Sequence, residues 1–288
     1  MELLQLLLNG VFLGGFYAIL AIGMSLVFGI MKLTNIAHGD LVILSTYLCM
    51  TIASATGNIA LALIVSAAIM MVFGFAIQNT LVNRVMDTGP NAPLLVTFGV
   101  SIILSNVLLQ VFGANSQTIH NPLSTSNIFT SDIISISSLY LLNFIVAVVV
   151  IVALNFFMKK TFFGCAIRAT SDNPFAAELM GIGTKRMYSY TMIIAMGVAS
   201  IAGLLLGMSY VFYPFSGTQY LIIAFGVVVI GGMGNLIGTL LGGFVLGIAQ
   251  LLGGHFFGPT YQIVTGYIVL LVILAIKPEG LLSKAARK

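Results

Sequence analysis

Residues 220–253, YLIIAFGVVVIGGMGNLIGTLLGGFVLGIAQLLG, contain no Asp, Glu, Lys or Arg. As one straight helix rising 1.5 Å per residue they would extend about 50 Å, far beyond a hydrocarbon core of roughly 30 Å. The stretch must therefore double back. The place is legible at Gly231-Gly232-Met233-Gly234-Asn235, because each glycine weakens a helix by about 1 kcal/mol relative to alanine. Two tightly joined spans and a hairpin of half-helices both satisfy such a break. The block belongs to a longer uncharged run, Met187 to Ile276.

The same poverty of charge holds along all 288 residues. Hydrophobic residues make up 59% and charged residues 6%, and the mean hydropathy is +1.13. A soluble domain carries roughly 25% charged residues, so a soluble globule is excluded and lipid must solvate most of this surface. The apolar runs are too long for barrel strands and do not alternate, which leaves an all-α polytopic membrane protein. The 11 Lys and Arg are too dispersed to form a nucleic-acid patch. Cys49 and Cys165 sit in unlike surroundings and offer neither a disulfide framework nor a metal spacing. Met1-Glu2-Leu3-Leu4-Gln5 lacks the basic start of a secretory signal, so the first apolar run is expected to be retained as an anchor.

Spans are expected at about 6–28, 40–56, 58–80, 92–113 and 137–158, followed by apolar blocks at about 188–210, 220–253 and 260–276. Lys159, Lys160, Arg168, Lys185 and Arg186 share one connection, and Lys277, Lys284, Arg287 and Lys288 the tail. The positive-inside tendency places both in the cytoplasm. Counting backward puts Asn115 to Ser131 outside, Arg84 and Lys32 inside, and the amino terminus outside. Residues 187 and 277 then lie on the same side, so an even number of crossings separates them and the middle block must count twice. The expectation is a single transmembrane domain, 1–288, of eight or nine segments, some broken at glycine-rich points, with a cytoplasmic loop at about 159–187.

Inside the membrane, Gly234, Gly238 and Gly242 recur every four positions, as do Gly243 with Gly247 and Gly203 with Gly207. Small residues at that spacing let helix backbones approach closely; tight packing and the lining of a path are compatible readings. A second broken segment is Phe28-Gly29-Ile30-Met31-Lys32-Leu33-Thr34-Asn35-Ile36-Ala37-His38-Gly39-Asp40. Paired interruptions in the two halves of a chain point to inverted repeats and a transport path. On that ground Asn35, His38, Asp40, Gly231, Gly234, Asn235 and Gly238 are the pathway candidates. For His38 and Asp40 the simpler expectation is structural: His38 in a cytoplasmic turn, Asp40 favouring the first turn of the next helix. At membrane depth they would instead be costly and hence purposeful.

In the cytoplasmic loop, Asp172-Asn173-Pro174-Phe175-Ala176-Ala177-Glu178-Leu179-Met180-Gly181 reads as a short punctuated helix over 174–180. Asn173 caps it, Pro174 suits its first position and Gly181 its stop. Phe175 and Leu179 share one face. So short a helix is unstable alone, and it must dock on a partner or on its own bundle.

Three motifs then bear a resemblance. Thr161-x-x-Gly164-x-x-x-Arg168-Ala169 with Asn173-x-x-Ala176-Ala177 and Gly181-Ile182 resembles the cytoplasmic loop of branched-chain amino acid (Liv-type) ABC-transporter permeases. Asn35-x-Ala37-His38-Gly39 and Gly231-Gly232-x-Gly234-x-x-x-Gly238-x-x-x-Gly242-Gly243 also look like that family, in the expected order. The resemblance implies the membrane subunit of an importer working with a second, homologous permease, two cytoplasmic ATPase subunits and an external substrate-binding protein. It implies ATPase docking through Arg168, Asn173, Pro174, Phe175, Glu178, Leu179 and Gly181, and no cofactor on this chain, with ATP and Mg on the partner ATPase. After Gly39 the chain departs from the Met and Gly-Ala-Tyr run of many relatives, which leaves the substrate open among neutral amino acids, urea and short amides. No lysine here follows a glycine, so the phosphate-binding Gly-Lys step is absent. The competing readings are a stand-alone carrier or channel for a small neutral solute, and an intramembrane enzyme using His38 and Asp40. The latter lacks a nucleophile or a metal constellation.

Overall fold

The computed structural model describes residues 2–89, 91–119, 121, 127–130 and 135–282. Its helices follow the uncharged runs: α1 (Glu2–Met31), α2 (His38–Thr56), α3 (Ile59–Ile77), α4 (Asn83–Val85), α5 (Ala92–Phe112), α6 (Ser138–Lys160), α7 (Phe162–Asp172), α8 (Pro174–Leu179), α9 (Thr184–Ser209), α10 (Gly217–Gly231), α11 (Leu236–Phe257) and α12 (Gln262–Ile276). A π turn, Gln78–Val82, joins α3 to α4, so that Ile59–Thr88 forms one span. Among the described residues nine helices are long and apolar enough to cross a membrane. The chain is an all-α polytopic membrane protein. A small antiparallel hairpin, β1 (Asn127–Thr130) with β2 (Ser135–Ser137), decorates the α5–α6 connection; strands of four and three residues are too short to stand out as alternating apolar runs.

Helix ends sort by charge. Ser171 Oγ donates to Gly29 O at 2.6 Å and Asn83 Nδ2 to Lys185 O at 3.3 Å. Lys185 also pairs with Asp87 at 2.6 Å on an exposed surface. These ties bring the end of α1, the α3–α4 span, α7 and the start of α9 together, and with them Lys32, Arg84, Lys185 and Arg186. This is the basic end of the bundle. Four spans, α9 to α12, separate residues 187 and 277, the even number the charges demand. The block 220–253 is two helices. Gly232 turns the chain at φ +99°, and Asn235 starts α11 by accepting from Ile237 N at 3.1 Å and Gly238 N at 3.0 Å.

The core is formed by α1 and α9, which pass each other in opposite senses. Phe16, Ile19, Leu20 and Ile22 of α1 and Ala195, Met196 and Leu206 of α9 are fully buried. Packing around the pair repeats in inverted order: α1 lies on α11 as α9 lies on α3, and α10 lies on α1 as α2 lies on α9. Each core helix is followed by an extended segment, 32–37 after α1 and 210–213 after α9, and then by a helix that starts inside the bundle. The interruption equivalent to 32–37 is thus 210–213; the glycine break at 231–235 is the turn one helix later.

The glycine spacing reports close packing. Gly238 and Gly242 of α11 rest on the backbone of α10 at Gly231 and Val227, while Gly243 and Gly247 rest on α1 at Gly14 and Gly10. A Cβ at any of the four would collide with a backbone atom rather than a movable side chain. Backbone contact of this kind supplies the dispersion that holds helices together where lipid removes the hydrophobic drive. Gly243→Val should therefore destabilise the bundle by about 1–3 kcal/mol through overpacking, read as a lowered melting temperature in detergent; an unchanged melting temperature contradicts the seam.

Candidate functional site

The segment after α1 is built by local turns. Lys32 leaves the helix at φ +53°. Asn35 Oδ1 then accepts from Ala37 N at 3.0 Å, and Asn35 O accepts from His38 N at 3.2 Å. This is an Asx-type turn, and it launches α2. Ile36 N donates to Thr97 Oγ1 of α5 at 3.3 Å. The result carries the chain back along α1: His38 Nε2 donates to Leu20 O at 2.9 Å. At 1.5 Å per residue Leu20 lies about 16 Å from the Met31 end of α1. His38 is 1% exposed and Asp40 3%. The cytoplasmic turn expected for His38 is therefore corrected. The turn lies at Lys32 to Thr34, and the chain re-enters the bundle because Asn35 and Thr97 satisfy its backbone there. Asp40 does stand in the first turn of α2, but that turn is interior.

Here α2 meets α10. A Cβ at Gly39 would strike Gly217 O, and one at Gly217 would strike Asp40 Oδ1. Both glycines are required by close approach, and the two helix N-termini meet at one carboxylate. Asp40 Oδ2 accepts from Ser101 of α5. Sequence reading singles out Asn35, His38 and Asp40, which the fold brings together, but not their partners Thr97, Ser101 and Gly217. The available signal was the spacing of Thr97, Ser101 and Ser105, four residues apart on one face of α5. Gly231, Gly234, Asn235 and Gly238 lie elsewhere, toward the basic end: Gly234 packs on Gly29, and Asn235 Nδ2 donates to Leu282 O at 2.8 Å.

A second feature occupies the basic end. Thr161 caps α7 by accepting from Gly164 N at 3.0 Å, and a side chain at Gly164 would strike the backbone of Phe157 and Met158. The Thr-x-x-Gly spacing thus bends α6 sharply into α7. Asn173 Oδ1 accepts from Ala176 N at 3.0 Å to cap α8, Pro174 takes the first position, and Gly181 turns the chain at φ +82°. Glu178 accepts from Thr184 Oγ1 at the start of α9. Ala177 faces the bundle and is buried, whereas Phe175, Leu179 and Met180 are 71%, 74% and 82% exposed. Of the two docking partners left open by the sequence, the bundle takes Ala177 instead of the Phe175–Leu179 face, which stays bare. Met180 extends that face. Arg168, on α7, is also exposed.

Among the described residues nine apolar helices, two of them core helices that each lead into a re-entrant segment, define a multi-pass integral membrane protein. The chain belongs to the family described as branched-chain amino acid transport system / permease component, whose model matches residues 6–276. It is 30% identical to the high-affinity branched-chain amino acid transport system permease protein BraD of Pseudomonas aeruginosa, over 98% of this chain and 96% of that one. It is also 30% identical to LivH of Escherichia coli K12, again over 98% and 96%. A probable LivH of Methanocaldococcus jannaschii is 24% identical over 91% of this chain and 87% of its own length. These relatives are transport permeases, not enzymes.

The cap on α8 is separable from the rest of the bundle. Asn173→Ala should weaken α8 by about 1 kcal/mol. Amides 176–180 would then exchange hydrogen severalfold faster, with α1 and α9 unaffected; unchanged exchange at 176–180 refutes the capping role.

Proposed function

We propose that this chain is the membrane-spanning permease subunit of an ATP-driven ABC importer that translocates branched-chain or related neutral amino acids. The observation that carries the reading is the bare apolar face of α8, a capped helix fixed at the basic end with Phe175, Leu179 and Met180 turned outward. Apolar anchors of this kind dominate protein interfaces, and the family supplies a partner of the right sort, a separate ATPase. The basic end then faces the cytoplasm and the amino terminus the outside of a bacterial inner membrane, following the positive-inside tendency. The remaining partners are a second, homologous permease and an external binding protein that delivers substrate. ATP and Mg belong to two ATPase subunits.

The ties of α7 and α8 give the motion a route. Ser171 joins α7 to α1 through Gly29 O, and Glu178 joins α8 to α9 through Thr184. ATPase closure that displaces α8 would thus move both core helices, and with them the two re-entrant segments. Such rocking alternates access to a site held between repeats. Spans almost free of charge suit a net-neutral or zwitterionic solute.

Phe175→Ala with Leu179→Ala should leave the permease folded but cut recovery of the ATPase in co-purification at least tenfold. Wild-type recovery by the double variant contradicts the docking role. A stand-alone carrier is the competing reading, favoured by the two helices that start inside the bundle. Gradient-driven uptake into liposomes holding this chain alone would establish it.

A further inference from the structure

Between the two ends of the bundle the described residues contain one carboxylate, Asp40, and no Lys or Arg. A carboxylate at that depth is costly unless something neutralises it. The protein supplies a hydroxyl, from Ser101, and two helix N-termini, but no cationic side chain. Ser101 is itself only half-buried on α5, so Asp40 lies one layer beneath the surface of that helix. Most of the surface of α5 is unpacked, with Leu95, Phe98 and Ile103 at least half exposed. Its hydroxyls form a stripe. Thr97 borders a narrow cleft that opens beside Thr34, Asn35, Gln78 and Pro93; Ser101 stands one turn further on, and Ser105 a turn beyond, donating to Ser101 O at 2.7 Å. The stripe leads from the cleft past the carboxylate and on along α5.

We propose that Asp40 receives the ammonium group of a zwitterionic amino acid as it moves along the Thr97–Ser101–Ser105 track. The inference rests on the amino-acid reading above and names the residue that would recognise the feature all such substrates share. In the resting protein Ser101 holds the carboxylate; the ammonium displaces or joins that hydroxyl, and the side chain of the substrate slides over the apolar surface of α5. A purely structural Asp40–Ser101 tie makes a different demand, because it needs an acceptor but no charge.

Asp40→Asn separates the two. It keeps the shape and an oxygen that can accept from Ser101, and removes the charge. Assembled with its partner permease, ATPases and leucine-loaded binding protein in proteoliposomes, the variant complex should form in wild-type yield and take up radiolabelled leucine at least tenfold more slowly. Ser101→Ala, which removes the tie and keeps the charge, should cost less than threefold. Uptake by Asp40→Asn within twofold of wild type overturns the proposal. Absence of leucine uptake by the wild-type complex would instead overturn the amino-acid reading, and the ammonium site with it. A second measurement needs no variant: a hydrophobic carbodiimide should modify Asp40 in the wild-type complex, and turnover with leucine should slow that modification. Equal labelling with and without leucine also overturns the proposal.

Discussion

Two helices begin in the middle of this protein and touch where two glycines leave only backbone and one carboxylate between them. The contact of Gly39 with Gly217 is the constraint on which the other arrangements depend. It allows α2 and α10 to start at the same level, one running to each end of the bundle. It forces the preceding segments to fold back from the ends of α1 and α9. A starting helix in lipid leaves its first amide hydrogens unsatisfied. Each start is therefore enclosed: α2 by Asn35, Thr97 and the Leu20 carbonyl, α10 by the 3-10 turn Pro214–Ser216, where Ser216 Oγ accepts from Tyr213 N at 3.1 Å. The glycine seams of α11 serve the same end from outside, holding α10 and α1 close enough that the crossing cannot open by simple separation.

Connectivity between the crossing and the basic end is direct. The core helices α1 and α9 each carry one re-entrant segment at one end and, at the basic end, one hydrogen bond to the α7–α8 unit. That unit has little hold of its own on the bundle beyond Ala166, Ile167, Thr170 and Ala177, which are buried. Its outer face is free. A force applied there passes into two long, well-packed rods rather than into loops.

Much of this was legible in the residues because the controlling signals are local. The charge-free run from 187 to 276, the break at Gly231–Asn235 and the parity imposed by the basic residues require that α10 and α11 be separate. Asn173, Pro174 and Gly181 delimit α8 within a residue, since caps act over three or four positions. The glycine stripe reads as packing, and packing is what it does. The re-entrant segment was misread for the opposite reason. Lys32, Thr34, Asn35, His38 and Asp40 look like a polar turn in water, and only partners 18 or more residues away, Leu20, Thr97, Ser101 and Gly217, show that Asn35 and Ala37 to Asp40 are buried. Likewise 210–213 carries no glycine break, so its equivalence to 32–37 is a matter of packing that no short window reveals.

The orientation of the two starting helices has an electrostatic corollary. Both present amide hydrogens, not carbonyl oxygens, to the centre, so each lends roughly half a positive charge to the space around Asp40. The carboxylate is thereby partly offset before any solute arrives. Among the described residues no group of three His, Cys, Asp or Glu side chains stands at that level to hold a metal ion. A lone carboxylate backed by a hydroxyl attracts a cationic group without enclosing it, which suits a conduit better than a trap.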